Sequence, residues 1–167
     1  MVNRPRKELW YLKIARTIAE RSTCTRRKFG AILVKGDAII STGYNGSPRE
    51  TLNCGLDVSC IKDRYNELPY LSYDHCPAVH AEENAIINAA RSGVSTVGAI
   101  LYLASAEGKC QMSCQRCRRA MINAGIAHVY YYETQPTGAT IVCNISLTGM
   151  IRLENNWIEE QSVQDVK

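Results

Sequence analysis

Residues 80–82 read His-Ala-Glu, and residues 114–117 read Cys-Gln-Arg-Cys. Together they supply one imidazole, one carboxylate and two thiols, and thirty-three residues separate His80 from Cys114. Imidazole and thiolate groups are typical zinc ligands, and three protein ligands leave a fourth position for water, as catalytic zinc sites require. We therefore expect the chain to fold around a zinc site made by His80, Cys114 and Cys117, with Glu82 beside it.

The spacing within each stretch indicates that the two meet at helix ends. Cys114 and Cys117 are three residues apart, so both thiols face the same side of a first helical turn. His80 and Glu82 would diverge by about 200° on a regular helix, so the site should lie off the helix end, with His80 near the first turn. Both helix N-termini, with their partial positive charge, would then favour thiolates at the metal.

An acidic side chain beside such a metal suggests a hydrolytic reaction. Two thiolates cancel the formal charge of Zn²⁺, so the metal should acidify water less than an all-histidine site would, and a nearby base is needed. Glu82 could take a proton from water and deliver protons to a substrate ring nitrogen and to leaving ammonia. H-x-E followed by C-x-x-C is the pattern of zinc nucleobase deaminases. A C-x-x-C alone equally fits a redox pair, which would leave His80 and Glu82 without a role.

Composition favours one domain over residues 1–167 and a metal-binding use of the cysteines. No apolar run reaches 18 residues, so no membrane span is expected. The basic N-terminus is not followed by a continuous apolar segment, which predicts a cytoplasmic protein without a signal peptide. Eight cysteines in a reducing compartment indicate metal binding rather than disulfides.

Hydrophobic periodicity predicts a chain of both helices and strands. A strand, a helix and a strand between residues 100 and 132 imply a right-handed parallel crossover. Residues 144–157 give no clear pattern, and the polar end from residue 159 is expected to fray. The expected helices cover residues 8–20, 78–92 and 114–124, and the expected strands cover residues 29–34, 38–42, 100–104, 126–132 and 140–143.

Residues 49–77 form a Cys-rich insert without clear periodicity. Such a long irregular segment is unusual inside a compact domain unless something fixes it, and four thiolates would satisfy a structural zinc site. The alternative is a set of free buried cysteines. His75 competes with Cys76 for the fourth ligand position. Three candidate cysteines lie in the insert, and the fourth lies upstream of it. We call these four residues the loop cysteines: Cys54, Cys60 and Cys76 in the insert, and Cys24 upstream.

Residues 43–48 read Gly-Tyr-Asn-Gly-Ser-Pro and are dense in turn residues. The glycines would let backbone N–H groups approach a ligand, and Asn45 and Ser47 offer hydrogen bonds. The alternative is a tight loop with no ligand.

With these motifs, the chain resembles the deoxycytidylate (dCMP) deaminase family of the cytidine-deaminase-like superfamily over roughly residues 10–135. The resemblance rests on residues 24–27 (Cys-Thr-Arg-Arg), 43–48, 79–86 (Val-His-Ala-Glu-Glu-Asn-Ala-Ile), the two cysteines of residues 114–117, and 122–125 (Ile-Asn-Ala-Gly). It implies an α/β fold, a three-layer α/β/α sandwich around a five-stranded mixed sheet. It also implies zinc-dependent hydrolysis of dCMP to dUMP and ammonia, with Glu82 as proton shuttle.

The same resemblance implies further sites and partners. A second, structural zinc would be held by the loop cysteines, with His75 as the alternative ligand. The protein would be a homo-oligomer, commonly a hexamer, that dCTP activates and dTTP inhibits. The nucleotide would contact Arg26 at its phosphate, and elsewhere Asn45, Gly46, Ser47 and Ala81.

One departure from the family concerns the residue before the first C-x-x-C cysteine. The family usually has proline there, whereas this chain has Ser113, which is a good N-cap residue. The preceding loop also holds an extra Cys110. Both changes bear on loop shape and hence on substrate choice.

Two other functions remain open from the sequence. A deaminase could act on a base in nucleic acid or on a specialised metabolite, and the basic first thirty residues permit nucleic acid. The chain lacks an aromatic-interleaved basic stretch suited to stacking bases, so we do not expect this partner. A non-enzymatic zinc-stabilised binding module would use the cysteines structurally and leave Glu82 without a role.

Overall fold

The computed structural model describes residues 4–65, 76–108, 112–135, 137 and 139–164. Within these ranges no helix combines the length and the apolar character needed to cross a membrane. His75 and Cys110 lie outside the described residues. The expectations for these two side chains therefore stay predictions.

The described parts of the chain form five helices and five strands. The helices are α1 (Lys7–Ala19), α2 (Ile61–Tyr65), α3 (Ala81–Arg91), α4 (Gln115–Asn123) and α5 (Leu147–Gln164), and the strands are β1 (Phe29–Lys35), β2 (Ala38–Tyr44), β3 (Ile100–Ser105), β4 (His128–Thr134) and β5 (Thr140–Ser146).

The strands form one mixed sheet in the order β2-β1-β3-β4-β5. Only the β3/β4 pair is parallel, and α4 connects these two strands. The β1/β2, β1/β3 and β4/β5 pairs are antiparallel. This arrangement confirms the five-stranded mixed sheet expected from the sequence.

Alternating residues of the central strands bury side chains on opposite faces of the sheet. On one face, Ile32 and Tyr102 pack with Leu12 and Ala15 of α1. On the other face, the core contains side chains from β1, β3 and β4 together with α3, α4 and α5: Ala31, Leu33, Ala85, Leu101, Met121, Val129 and Met150. Helices therefore cover both faces, and α3 and α4 share one of them.

Gly43 of β2 allows α3 to lie directly on the sheet. A Cβ atom at this position would lie 2.3 Å from the backbone nitrogen of Ala85 and 2.4 Å from the carbonyl oxygen of Ala81. Any side chain larger than hydrogen would push the helix away. The position of α3, whose first turn carries the candidate catalytic residues, is thus set by backbone contact with β2.

The expectation that the central helix spans residues 78–92 is wrong at its N-terminus, since α3 begins at Ala81. Val79 and Gly46 exchange two backbone hydrogen bonds of 2.9 and 3.2 Å as an isolated bridge. This pairing keeps the backbone extended up to His80.

The expectation of a frayed end is also wrong for residues 159–164, because the last helix, α5, runs to Gln164. Residues 165–167 lie outside the described residues. Inside it, Glu154 is buried and accepts hydrogen bonds from Arg118 Nε at 2.6 Å and from Arg119 Nε at 2.8 Å. The Arg119 guanidinium also lies 4.7 Å from the ring centre of Trp157. These contacts fix α5 against α4.

Candidate active site

The two stretches meet at the N-termini of α3 and α4. His80 is the N-cap residue of α3 and Cys114 is the N-cap residue of α4, both with extended backbone. Cys114 therefore occupies the cap position that the sequence suggested for Ser113. Glu82 and Cys117 lie inside the first turns of these helices. The expected geometry, in which the side chains converge beyond the helix ends, is what the structure has.

The His80 Nδ1 atom lies 3.5 Å from Cys114 Sγ and 3.3 Å from Cys117 Sγ. We call these three residues the helix-tip group. Tetrahedral zinc with typical Zn–N and Zn–S bond lengths would separate the nitrogen from each sulfur by about 3.5 Å. Across the described parts of the chain, this is the one set of three or more such side chains whose ligand atoms lie within 4.8 Å of one another. The donor set and its spacing both fit zinc.

The two thiols of the helix-tip group change each other's pKa. The hydrogen bond with Cys117 lowers the pKa of Cys114 to about 4. The same bond, together with burial, raises the pKa of Cys117. A divalent cation that accepts both sulfurs as thiolates would replace the shared proton, which is the chemical behaviour expected of a ligand pair.

The Glu82 carboxyl lies in the same cavity and is only 5% exposed. Burial raises the pKa of Glu82, although a hydrogen bond from its own backbone N–H and the charge of His80 act in the opposite direction. A carboxyl with a raised pKa can exchange protons near neutral pH. Glu82 thus has the environment of a general acid and base.

A cavity of about 400 Å³ opens in front of these residues. Its walls come from the segment before β1, the turn after β2, the Cys-rich insert and the two helix N-termini. The Ser47 and Ser113 hydroxyl oxygens are buried and make no hydrogen bond with any residue that the structure describes. Both serines line the cavity, so a bound molecule could provide their missing partners.

Asn45 lines the cavity, but its amide group holds the turn together. Its Oδ1 accepts from the Phe29 backbone nitrogen at 2.7 Å, and its Nδ2 donates to the Arg27 carbonyl oxygen at 2.9 Å. Its own carbonyl oxygen accepts from Ser22 Oγ at 2.7 Å. One amide hydrogen and one lone pair remain for a ligand. Its neighbours Gly46 and Ser47 line the cavity, as does Ala81.

Positive charge borders the cavity near the segment before β1. Arg26, Arg27 and Lys62 line it. The Arg26 side chain is exposed, and its Nη1 lies 3.4 Å from Oδ1 of the Asp63 carboxylate. Arg26 is therefore near the cavity, as a phosphate contact requires, and an ion pair of this exposed kind breaks at little cost.

The four loop cysteines line the same cavity and all are half-buried free thiols. Gly55 (φ +83°) lets the insert lie close to Thr23, the residue before Cys24. A Cβ at Gly55 would lie 2.3 Å from the Thr23 carbonyl oxygen. No three of their sulfur atoms lie within 4.8 Å of one another, unlike the ligand atoms of the helix-tip group. The structure therefore brings the loop cysteines to one cavity without forming a tetrahedral cluster.

Two polar residues at the helix tips were not singled out from the sequence. Glu83 Oε2 accepts from the His80 backbone nitrogen at 3.4 Å, and Glu83 Oε1 accepts from Arg116 Nε at 2.9 Å. A glutamate three residues after an N-cap residue is the capping-box spacing, and this signal could have identified Glu83. Nothing in the sequence marks Arg116 as its partner.

Comparison with known proteins agrees with this arrangement. The family model for the cytidine and deoxycytidylate deaminase zinc-binding region matches residues 5–133. Deoxycytidylate deaminase of Schizosaccharomyces pombe is 34% identical over 131 residues, which are 78% of this chain and 38% of that protein. The chain thus matches well under half the length of that relative.

A viral relative matches over nearly its whole length. Deoxycytidylate deaminase of Mycobacterium phage D29 is 33% identical over 135 residues, covering 78% of this chain and 97% of the phage protein. Among solved structures, the dCMP deaminase of cyanophage S-TIM5 in complex with dCMP and dUMP superposes with a TM-score of 0.58 at 30% identity, covering 78% of this chain and 83% of that chain. The chain belongs to the cytidine and deoxycytidylate deaminase family.

Proposed function

We propose that this protein hydrolyses dCMP to dUMP and ammonia with zinc held by His80, Cys114 and Cys117. The observation that carries the proposal is the helix-tip group, whose nitrogen and sulfur atoms lie 3.3–3.5 Å apart, in one cavity with the buried Glu82. The named deoxycytidylate deaminases among its relatives support dCMP as the substrate.

Glu82 moves the protons in this reaction. When bound, zinc supplies Lewis-acid chemistry that acidifies water near neutral pH. Glu82 takes one proton from the attacking water and delivers it to the ring nitrogen next to the amino-bearing carbon. It then transfers the second water proton to the amino group, which leaves as ammonia. The buried carboxylate can serve both steps because its pKa is raised.

The rest of the cavity would position the nucleotide. Gly46, Ser47 and Ala81 line the cavity, and the free Ser47 hydroxyl supports a hydrogen bond to substrate. Arg26 would leave Asp63 to pair with the 5′-phosphate. Asn45 contributes chiefly by fixing the turn from which Gly46 and Ser47 face the cavity.

A second zinc bound by the loop cysteines is part of the proposal. Their four half-buried thiols in one cavity support it, with His75 as the alternative fourth ligand. Zinc would draw the sulfurs together when it binds. Metal analysis should then give two zinc ions per chain, and Cys54→Ser should reduce this to one, whereas an unchanged count in the variant would contradict the second site.

The resemblance to the deoxycytidylate deaminase family supports a proposal about assembly and regulation. We propose a homo-oligomer, with a hexamer as the expected form, that dCTP activates and dTTP inhibits. The seven free cysteines in the described residues support a reducing compartment such as the cytoplasm. Light scattering with and without each nucleotide measures the subunit number, and initial rates with each nucleotide measure the regulation.

A substrate panel tests the proposed activity. Zinc-loaded protein is incubated with dCMP, CMP, deoxycytidine and dCTP, and loss of cytosine absorbance is followed. We expect dCMP to give the highest kcat/KM. Turnover of deoxycytidine in preference to dCMP would contradict the phosphate contact, and no turnover of any of the four would contradict the proposed function.

A further inference from the structure

One ion pair joins the N-terminal turns of α3 and α4 without using a metal ligand. Glu83, in the first turn of α3, has one carboxylate oxygen 2.9 Å from Arg116 Nε, and Arg116 lies between the two cysteines of α4. The other carboxylate oxygen accepts from the His80 backbone nitrogen. A single carboxylate therefore contacts the residue that carries the imidazole and the helix turn that carries both thiols.

The surroundings of the pair make it stronger than an ordinary surface ion pair. The Glu83 side chain is only 13% exposed, whereas the Arg116 side chain is 74% exposed. Exposed pairs are weak because water screens both charges, but a carboxylate that is mostly withdrawn from water is screened less. Neither side chain belongs to the helix-tip group or lines the cavity.

We propose that Glu83 and Arg116 are a positioning pair that holds the two helix tips at metal-binding distance and thereby slows the loss of zinc. The proposal rests on zinc coordination by the helix-tip group, but it does not depend on the identity of the substrate. A site whose ligands are held in place before binding loses less conformational freedom when the metal arrives. Groups that orient metal ligands typically change metal affinity by about 10–100-fold.

The test measures zinc release from the loaded protein to a coloured chelator at fixed pH. The phase that disappears in Cys117→Ser belongs to the helix-tip group. Because Arg116 is exposed, we expect the low end of that range, about tenfold faster release in Arg116→Gln and in Glu83→Gln. Arg116→Lys should release zinc more slowly than Arg116→Gln, because the lysine ammonium can still donate a hydrogen bond to Glu83. Arg91→Gln, which removes an exposed positive charge at the other end of α3, should match the wild type.

The double variant separates positioning from a plain charge effect. If the two side chains act through each other, Glu83→Gln with Arg116→Gln releases zinc about as fast as either single variant. If Arg116 acts only through its charge on the thiolates, its substitution keeps its full effect in the Glu83→Gln background, and effects that multiply to about 100-fold would overturn the proposal. Single variants that match the wild type would also overturn it.

A salt titration of the wild type tests the pair even if a variant fails to fold. Release from the wild type should accelerate with ionic strength because salt screens the pair, and release from Arg116→Gln should respond less. Equal salt dependence in the two proteins would contradict the pair. A wild type without the phase that depends on Cys117 would contradict the zinc coordination itself, and with it the role of the pair.

Discussion

The helix-tip group and the loop cysteines border one cavity, yet the chain prepares them differently. The helix-tip ligands lie at N-cap and first-turn positions of two helices, and their nitrogen and sulfur atoms are already 3.3–3.5 Å apart. The loop cysteines lie on irregular backbone, with no three sulfurs within 4.8 Å of one another. The helix-tip group is thus pre-organised for metal binding, whereas the loop cysteines lie in the same cavity without that arrangement.

The difference shows where the preparation of a metal site comes from. Helix α3 is fixed by backbone contact with β2 at Gly43, and α4 is fixed by the buried contact of Arg118 with Glu154. In the described part of the insert, Cys54 and Val58 form an isolated bridge, and no apolar side chain is buried. We infer that the helix-tip group keeps its shape without metal, whereas the loop cysteines would reach a tetrahedral arrangement only on binding the proposed second zinc.

The largest expected effect separates chemistry from metal binding within the helix-tip region. Glu82→Gln should lower kcat for dCMP by about 10²–10⁴-fold, because the amide cannot transfer protons. Zinc content should stay at the wild-type value, since Glu82 is not a ligand. Steady-state rates and metal analysis on the same sample measure both. Activity within tenfold of the wild type would contradict the role of Glu82.

The next effect tests the support of α4. Glu154→Gln leaves the buried Arg118 without a counter-charge, so we expect a loss of about 3 kcal/mol in the free energy of unfolding. Urea unfolding measures it, with the exposed Glu160→Gln in the same helix as control. Equal stability of the two variants would show that α4 is held in place by other contacts.

Glu154 should also make the stability of this region sensitive to acid. Burial raises the pKa of Glu154, but hydrogen bonds from Arg119 and Arg118 outweigh it and hold the pKa below its usual value. Its contribution is therefore complete above the unfolded pKa of about 4.5 and is lost as the pH falls through the lower folded value. Below about pH 4.5 the melting temperature of the wild type should fall more steeply than that of Glu154→Gln.

A smaller effect tests the contact that fixes α3. Gly43→Ala places a Cβ 2.3 Å from the Ala85 backbone nitrogen, and such overpacking costs about 1–3 kcal/mol. Gly46→Ala is the stability control, because a Cβ there meets nothing within 4 Å. Thermal unfolding compares the two variants. A Gly43→Ala protein as stable as Gly46→Ala would mean that α3 is free to shift, contrary to its proposed pre-organisation.

The smallest effect concerns Ser113, next to the helix-tip group. Its buried hydroxyl has no partner in the described residues, so Ser113→Ala should change the free energy of unfolding by less than about 0.5 kcal/mol. If substrate provides the missing partner, KM for dCMP should rise about fivefold, as expected for one neutral hydrogen bond. Ser113→Thr keeps the hydroxyl and serves as the matched variant. A clear loss of stability with unchanged KM would assign the hydroxyl a structural role instead.

Regular periodicity predicted most of the sheet and the helices that carry the ligands. Apolar stripes and β-branched runs placed α1, the β1/β2 hairpin and the β3-α4-β4 crossover within a few residues. The two-residue spacing of His80 and Glu82 correctly required a site beyond a helix end. Such features depend on neighbours along the chain, which a sequence displays directly.

Features that depend on distant partners were not predictable. Helix α3 begins at Ala81, later than predicted, because Val79 pairs with the distant Gly46. The N-cap residue of α4 is Cys114 and not the predicted Ser113. Helix α5 was not predicted, because the burial of its Glu154 depends on the hydrogen bond from Arg118, which is distant in sequence. The Asn45 amide binds backbone that is distant in sequence, and Glu83 pairs with the distant Arg116 side chain, so neither contact could be predicted.

The most direct test of the account is the position of zinc in a crystal of the protein, measured by anomalous diffraction at the zinc edge. We predict a peak at bonding distance from His80 Nδ1, Cys114 Sγ and Cys117 Sγ, with the Glu82 carboxylate in the same cavity and not coordinated. A structure of zinc-loaded protein with no peak at the helix-tip group, or with Cys114 and Cys117 joined as a disulfide, would contradict the central claim.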